Sequence, residues 1–410
     1  MEENLPNSSS GRRRIWSAIF DEKHPGYHPG FFFAPVISEE GGSIMKILRV
    51  PEKRGSKFLF VGIGFILSAA LAVAGGVRDS QGSGANTGGT PKKASIAVFV
   101  PGVTAGSPVY EMLVKGVERA IQENPGVALK ILEAGYNQAE WETKLTSLAA
   151  TGQYDLIVSS NPALPALCAQ VAKKFPRQKF LLLDGELAGN PQIYTLRYNQ
   201  REQGYMAGYL AALYVQDLER RSGNAGKTVS KRLGLLAGQE YPAMNEIILP
   251  GFRSGAQAVD PTFEVDFRVL GNWYDASKAG ELARSMIRGG AQVILPIAGG
   301  GNQGVLQAAE EAAIKVLWFD INGYALKPGV VIGSSILRQD RAAYEKVTLY
   351  LQGKLPFGKA ELVGVRDGYV DFVDDDPLYL QAVPAAVRES MGNLLARLRK
   401  GDLIIPEREK

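Results

Sequence analysis

Several polar and aromatic side chains stand immediately after runs of β-branched and apolar residues, where a buried parallel strand would end. Asp320 closes Val316-Leu317-Trp318-Phe319, and Asp184 and Glu186 follow Phe180-Leu181-Leu182-Leu183. Thr104 to Tyr110, including Ser107 and Tyr110, follow the first such run, and Ser160 and Asn161 follow the third. Later in the chain come Gln239, Glu240 and Tyr241, then Asn272, Trp273 and Tyr274, then Gly299, Gly300 and Gly301, then Asp320 and Asn322, and finally Arg338. Carboxylates and amides beside aromatic faces suit a ring-bearing, hydroxylated ligand, because rings stack and each buried polar group needs a partner. Open α/β sheets hold ligands at the carboxyl ends of their strands, so these residues mark a cleft. Each has a structural alternative: Ser107, Asn161 and Asn322 also suit helix caps or turns, and Trp273 and Tyr274 could pack beneath a loop.

The chemistry is that of binding rather than catalysis. Both histidines, His24 and His28, precede residue 74, and Cys168 is the single cysteine. The body of the chain therefore offers no Cys/His metal site, no histidine-based triad and no disulfide. Cys168, within Ala166-Leu167-Cys168-Ala169, reads as a helix core residue, and no cofactor is expected. A formal charge of +4 over 410 residues gives no footprint for nucleic acid.

Two glycine motifs allow another chemistry. Gly299-Gly300-Gly301-Asn302-Gln303-Gly304 fits G-x-G-x-x-G between a strand and a helix, with Asp320 downstream, and sustains a nicotinamide-dependent enzyme as an alternative. Its place in the second half of the chain is not the usual first βα turn of a dinucleotide fold. Gly223-Asn224-Ala225-Gly226-Lys227-Thr228 resembles a phosphate loop but has Arg221 where the first glycine belongs, and reads as a surface loop.

The elements that must hold these residues alternate regularly. Strands are predicted at Ile96–Val100, Leu129–Leu132, Leu156–Ser159, Phe180–Leu183 and Ile193–Tyr198, with helices opening at Ser107-Pro108 and near 138–150, 163–174 and 201–216. After an exposed charged loop at Leu218–Asn224 the rhythm restarts. Strands follow at Arg232–Ala237, Glu264–Val269, Val293–Ile297, Val316–Phe319 and Val330–Ser335, with helices near 243–258, 275–289, 302–313 and 340–352. Glu361–Phe372 alternates as one antiparallel or edge strand, and 377–399 is a terminal helix. Alternating strands and helices imply an α/β fold of parallel sheets covered on both faces, here two lobes able to close on a ligand.

Ahead of the folded region, Lys53 to Lys57 precede the apolar run Phe58–Ala74, which ends in Ala72-Val73-Ala74. This is the pattern of a secretory signal with cleavage after Ala74; an uncleaved membrane anchor is the alternative. Residues 1–44 read as a non-native or disordered extension upstream of a better start at Met45, residues 45–74 as the signal or anchor, and 75–92 as a flexible linker. An exported protein, periplasmic or on the outer face of the cytoplasmic membrane, is the expected location.

From about Ala94 to Phe372 the chain resembles the basic membrane protein family of ABC-transporter solute-binding proteins. The pieces that carry the likeness are Phe180–Asp184, Glu202-Gln203-Gly204-Tyr205-Met206-Ala207-Gly208, Pro250-Gly251-Phe252-Arg253-Ser254-Gly255, Ala298-Gly299-Gly300, and Phe319-Asp320 followed by Ser335-Ile336-Leu337-Arg338. The resemblance implies a type I periplasmic-binding fold with three crossovers near 199, 325 and 366, so that 93–199 plus 326–366 form lobe 1 and 200–325 plus 367–410 form lobe 2. It implies a membrane-proximal monomer that delivers a small-molecule ligand to an ABC permease. A nucleoside, purine type favoured, is the implied ligand, with a sugar as the alternative. By position, Asp320 takes the ribose-binding acid role, Arg338 the lysine role, Tyr110 the first-lobe aromatic and Asp184 the base-reading acid. Ala105–Tyr110 departs from the family's Asp-Lys-Ser-Phe-Asn-Gln loop and loses its amide contact, arginine replaces lysine at 338, and no lipid-bearing cysteine follows Ala74.

Overall fold

The computed structural model describes residues 94–223 and 229–408. The expectations for residues 1–44, 45–74 and 75–92, and for most of the phosphate-loop-like segment, fall outside the described residues. Among the described residues, no helix is long and apolar enough to cross a membrane.

The first half runs β1 (Ser95–Val100), α1 (Pro108–Gln122), β2 (Ala128–Glu133), α2 (Gln138–Ala150), β3 (Leu156–Ser160), α3 (Leu164–Lys174), β4 (Lys179–Leu183) and β5 (Ile193–Tyr198). α4 (Gln200–Gly223) leads to the second half: β6 (Arg232–Ala237), α5 (Leu249–Val259), β7 (Glu264–Val269), α6 (Ala276–Arg288), β8 (Ala291–Ile297), α7 (Asn302–Glu311), β9 (Lys315–Asp320) and β10 (Val331–Leu337). The chain ends with α8 (Gln339–Leu351), β11 (Ala360–Val363), β12 (Val370–Phe372), α9 (Pro377–Ala382) and α10 (Ala385–Lys400). Local chemistry sets several starts: Pro108 and Pro377 occupy first turns, and Asn137, Asp275 and Asp376 cap α2, α6 and α9 by accepting backbone N–H groups.

Two six-stranded sheets result, ordered β11-β5-β4-β3-β1-β2 and β12-β10-β9-β8-β6-β7. The five strands β5-β4-β3-β1-β2 of one sheet correspond in order to β10-β9-β8-β6-β7 of the other, and each sheet takes its sixth, edge strand, β11 or β12, from the C-terminal part of the chain. Every pairing is parallel except β10 with β12, which is antiparallel. Strands such as β1, β3 and β10 are buried almost end to end, as parallel strands covered on both faces must be.

Four boundaries differ from the sequence reading. Val330–Ser335 was expected in lobe 1, within 326–366, but β10 pairs with β9 in the second sheet, Ser334 opposite Trp318 and Ser335 opposite Phe319. The β9–β10 connection contains no long helix, and Tyr324 anchors it by donating its hydroxyl to the Val373 carbonyl at 2.7 Å. The second crossover therefore lies at Arg338 rather than near 325. Glu361–Phe372 is two strands in different sheets, β11 and β12, parted by the turn at 364–369 that forms the third crossover. The expected loop at Leu218–Asn224 continues α4 through Gly223, where Asp217 pairs with Arg220 and Arg221 one turn on. The terminal helix breaks at Val383-Pro384, because proline drives its predecessor out of helical geometry and Val383 has φ −104° and ψ 128°.

α4 and α5 pack with almost no gap between backbones. A Cβ on Gly208 would lie 2.0 Å from the Phe252 carbonyl oxygen, and one on Gly255 would lie 2.1 Å from that of Tyr205. The glycines in both helical sequence motifs are thus required by helix contact. Beyond α10 the chain returns to the first crossover, where the Ile405 carbonyl accepts from Asn199 Nδ2 at 2.9 Å and Glu407 pairs with Arg197 at 2.7 Å.

Candidate ligand-binding cleft

Asp184 follows the last residue of β4, and Asp320 is the last residue of β9, the equivalent strand of the other lobe. Both backbones are left-handed, with φ 54° and 72°. Aspartate is among the few residues other than glycine that visit this region, and it turns each side chain out of its strand. Each acid is partly buried. Loss of water lifts Asp184 to about 7, and the charge of Asp320 adds to the shift. Asp320 is lifted to about 6 by burial, against a hydrogen bond from Gln203 that lowers it. The charge of Asp320, on one lobe, thus reaches Asp184 on the other.

Tyrosines surround the pair. The Tyr110 hydroxyl donates to the Pro101 carbonyl at 3.2 Å, and Asn161 Nδ2 donates to it at 3.5 Å. Burial, with smaller contributions from Asp184 and Tyr136, pushes Tyr110 up to about 12. Tyr241, on the second lobe, is raised by burial and then by Asp320 and Asp184. Its ring lies 6.2 Å from that of Trp273 at 46°. Trp273 rests on Gly238, where a Cβ would meet the indole at 2.5 Å, and keeps 41% of its surface exposed.

Sequence reasoning missed four residues of this region. Tyr198, the last residue of β5, is raised by burial, with both acids among the charges acting on it. Gln339 receives hydrogen bonds from Ser160 Oγ at 3.1 Å and Tyr198 Oη at 3.4 Å, and donates to the Val109 carbonyl at 2.8 Å. Tyr136 stands three residues after β2 at the rim, 67% exposed, with its hydroxyl 3.3 Å from Ser107 Oγ. Gln203 holds Asp320 from the first turn of α4. Tyr136, Tyr198 and Gln339, which stands two residues past β10 beside Arg338, obey the strand-end rule and could have been found by it; Gln203 lies within α4 and carried no such signal.

Other expected residues are drawn elsewhere. Glu186 is exposed and pairs with Arg197 at 2.7 Å. Glu240 and Gln239 are exposed, and Glu240 accepts from Asn245 at 3.0 Å. Asn272 turns its carbonyl onto the N–H groups of Tyr274 and Asp275, leaving Tyr274 79% exposed at the rim. Asn322 binds Asp376 at 2.8 Å and the Tyr324 N–H, so it serves a turn. Arg338 is exposed at the start of α8, its N–H bonded to the Tyr369 carbonyl, and it is not among the groups that shift Asp320.

The glycine motif is occupied by packing. Gly300 donates its N–H to the Trp273 carbonyl at 2.8 Å and Gly301 to that of Ala298 at 3.0 Å. A Cβ on Gly299 would lie 2.7 Å from the Trp273 carbonyl oxygen, and one on Gly304 only 1.8 Å from that of Ala276. These glycines seat Trp273 and let α7 approach α6. Among the described residues, no three His, Cys, Asp or Glu side chains form a group that could hold a metal ion.

When both are ionised, Asp184 and Asp320 only accept hydrogen bonds, so a molecule bound between them would then present donors at both ends, with an apolar face for the rings between. The family model for PnrA-like ABC transporter substrate-binding proteins, Bmp, matches residues 93–398. An ABC transporter nucleoside-binding protein BmpA from Lactococcus lactis is 22% identical over 371 residues, covering 85% of this chain and 99% of the relative. A CD4+ T-cell-stimulating antigen from Listeria monocytogenes is 23% identical over 296 residues, covering 67% of this chain and 78% of the relative. In fold, the chain is similar to a solute-binding protein of an ABC transporter system from Aeropyrum pernix, with a TM-score of 0.66 at 19% identity over 77% of this chain and 94% of that one. Two sheets of corresponding strand order and a family match over three-quarters of the sequence lead to one assignment: the chain belongs to the Bmp family of ABC transporter substrate-binding proteins.

Proposed function

We propose that this protein is an extracytoplasmic receptor that closes over a nucleoside, purine type favoured, and hands it unchanged to an ABC permease. The observation that carries this reading is the placement of Asp184 and Asp320 on facing lobes with Tyr110, Tyr241 and Trp273 around them. Asp320 takes the ribose hydroxyls, Asp184 the donor edge of the base, and the rings its faces. The nucleoside-binding relative from Lactococcus lactis supports the same choice of ligand.

A thermal-shift series tests it with purine nucleosides, pyrimidine nucleosides, monosaccharides and NADH. A ligand at about 100 times its dissociation constant adds about 2.7 kcal/mol of stability. Stabilisation by purine nucleosides is the expected result. A response to monosaccharides alone would assign the cleft to sugars, and a response to NADH would return the glycine loop to consideration. Recovery of bound nucleoside with its glycosidic bond intact after prolonged incubation checks that no turnover occurs.

A further inference from the structure

Gln203 is fully buried in the first turn of α4, just past the first crossover. One amide group reaches two partners: Nε2 donates to Asp320 Oδ1 at 3.0 Å and to the Ser335 carbonyl at 3.1 Å. Both amide protons are therefore committed, one to the carboxylate at the end of β9 and one to the backbone of β10. Asp320 needs such a hold. Its left-handed backbone removes it from the regular strand, and the neighbouring carboxylate Asp184 repels it. A charged acceptor bonded to a buried amide is fixed more firmly than a neutral one, and a fixed acceptor costs less to order when ligand arrives.

The surroundings strengthen the assignment. Gln203 Oε1 and Ser335 Oγ are both buried without a hydrogen-bond partner. A glutamine kept wholly out of water with one end unsatisfied is costly, since an unmade buried hydrogen bond loses the desolvation energy of that group. An apolar side chain of similar length would relieve that cost but would leave the Asp320 carboxylate and the Ser335 carbonyl without their donor.

We propose that Gln203 is the positioning residue for the ligand-binding acid: it locks Asp320 against β10 so that the carboxylate faces the cleft and accepts ligand hydroxyls. The inference rests on the nucleoside reading for its ligand, though not for the Gln203–Asp320 coupling itself. Asp320 Oδ2 is left for the ligand, while Oδ1 keeps a second lone pair.

The test pairs two variants with two ligands. Gln203→Leu removes the donor, and Gln203→Glu keeps the shape while placing an acceptor against Asp320; circular dichroism checks that each is folded. Calorimetry with guanosine and 2′,3′-dideoxyguanosine should show the wild type preferring the hydroxylated ligand by tenfold or more. In either folded variant that preference should collapse, while affinity for the dideoxy ligand stays within about threefold. For Gln203→Glu the preference should return as pH falls and the new carboxyl regains a proton to donate.

A second readout needs no ligand. Carboxyl-carbon NMR of the empty protein should show Asp320 titrating at higher pH in Gln203→Leu than in the wild type, because the hydrogen bond that favours its ionised form is gone. If wild type binds neither nucleoside, the receptor reading fails and the NMR titration alone decides whether Gln203 holds Asp320. Retention of the full hydroxyl preference by a folded variant, or an unchanged Asp320 titration, overturns the proposal. Should Gln203→Leu not fold, Gln203→Glu carries both measurements, with its Asp320 titration again expected at higher pH.

Discussion

The carboxylate of Glu202, one residue before Gln203, accepts the backbone N–H of Val365 at 2.7 Å. This bond joins the first crossover between the lobes to the third. The approach depends on Gly364, where a Cβ would lie 2.3 Å from Glu202 Oε2. Burial lifts Glu202 to about 7, with the Val365 bond opposing and Asp367 adding to the shift.

A raised acid binds more protons folded than unfolded. Its contribution to stability is therefore full below the ordinary glutamate value and is lost as pH rises through about 7. Glu202→Gln keeps an acceptor for Val365 and removes the charge. It should be more stable than wild type by about 2 kcal/mol at pH 8 and indistinguishable near pH 4. Urea melts at the two pH values measure this, and an equal difference at both would remove the buried charge as the cause.

Asp184 and Asp320 share the sign of that effect. Their raised values mean that the empty protein gives up stability as pH climbs through about 6 and about 7. Asn tolerates the left-handed backbone, so Asp184→Asn and Asp320→Asn should each flatten the pH profile of Tm without straining the chain. Each should also weaken guanosine binding tenfold or more at pH 7.5. Wild-type affinity should rise from pH 5 to 7, since the ionised acids are the better acceptors. A variant that binds as wild type does would leave its acid outside the ligand contacts.

Trp273 is expected to matter to binding more than to folding. Its indole is 41% exposed and leans on Gly238 and Tyr241. Trp273→Ala should therefore change unfolding free energy by less than about 1 kcal/mol, whereas loss of a stacked base costs about 1–3 kcal/mol. Calorimetry and denaturant melts on one preparation separate the two. A large loss of stability with intact affinity would make Trp273 a packing residue.

Gly304 reverses that pattern. A methyl group there would meet the Ala276 carbonyl oxygen at 1.8 Å, so Gly304→Ala must push α7 off α6. The expected cost is about 1–3 kcal/mol or more, read from the melting curve, with no NADH-dependent fluorescence change in variant or wild type. An unshifted melt would contradict the packing role.

Much of this was legible because buried parallel strands announce themselves as apolar runs and because ligand chemistry gathers at their ends. Asp184, Asp320, Tyr110 and Trp273 follow from that rule alone. The sequence of Val330–Ser335 does not say which sheet β10 joins, because the alternation of strand and helix lapses at β4–β5, β9–β10 and β11–β12, where the chain continues with no α-helix between. Glu186, Asn322 and Arg338 stand at suitable positions yet are used by, respectively, an ion pair, a turn and a helix start. Gln203 was visible only as part of a helical motif, since its partners Asp320 and Ser335 lie more than a hundred residues away.

The corresponding strand orders place equivalent side chains at equivalent exits. β4 and β9 stand at the same position of their sheets, and each is closed by an aspartate whose backbone is left-handed, Asp184 in one and Asp320 in the other. Tyr136 and Trp273 follow the corresponding edge strands β2 and β7, so one lobe carries a phenol at that corner where the other carries an indole.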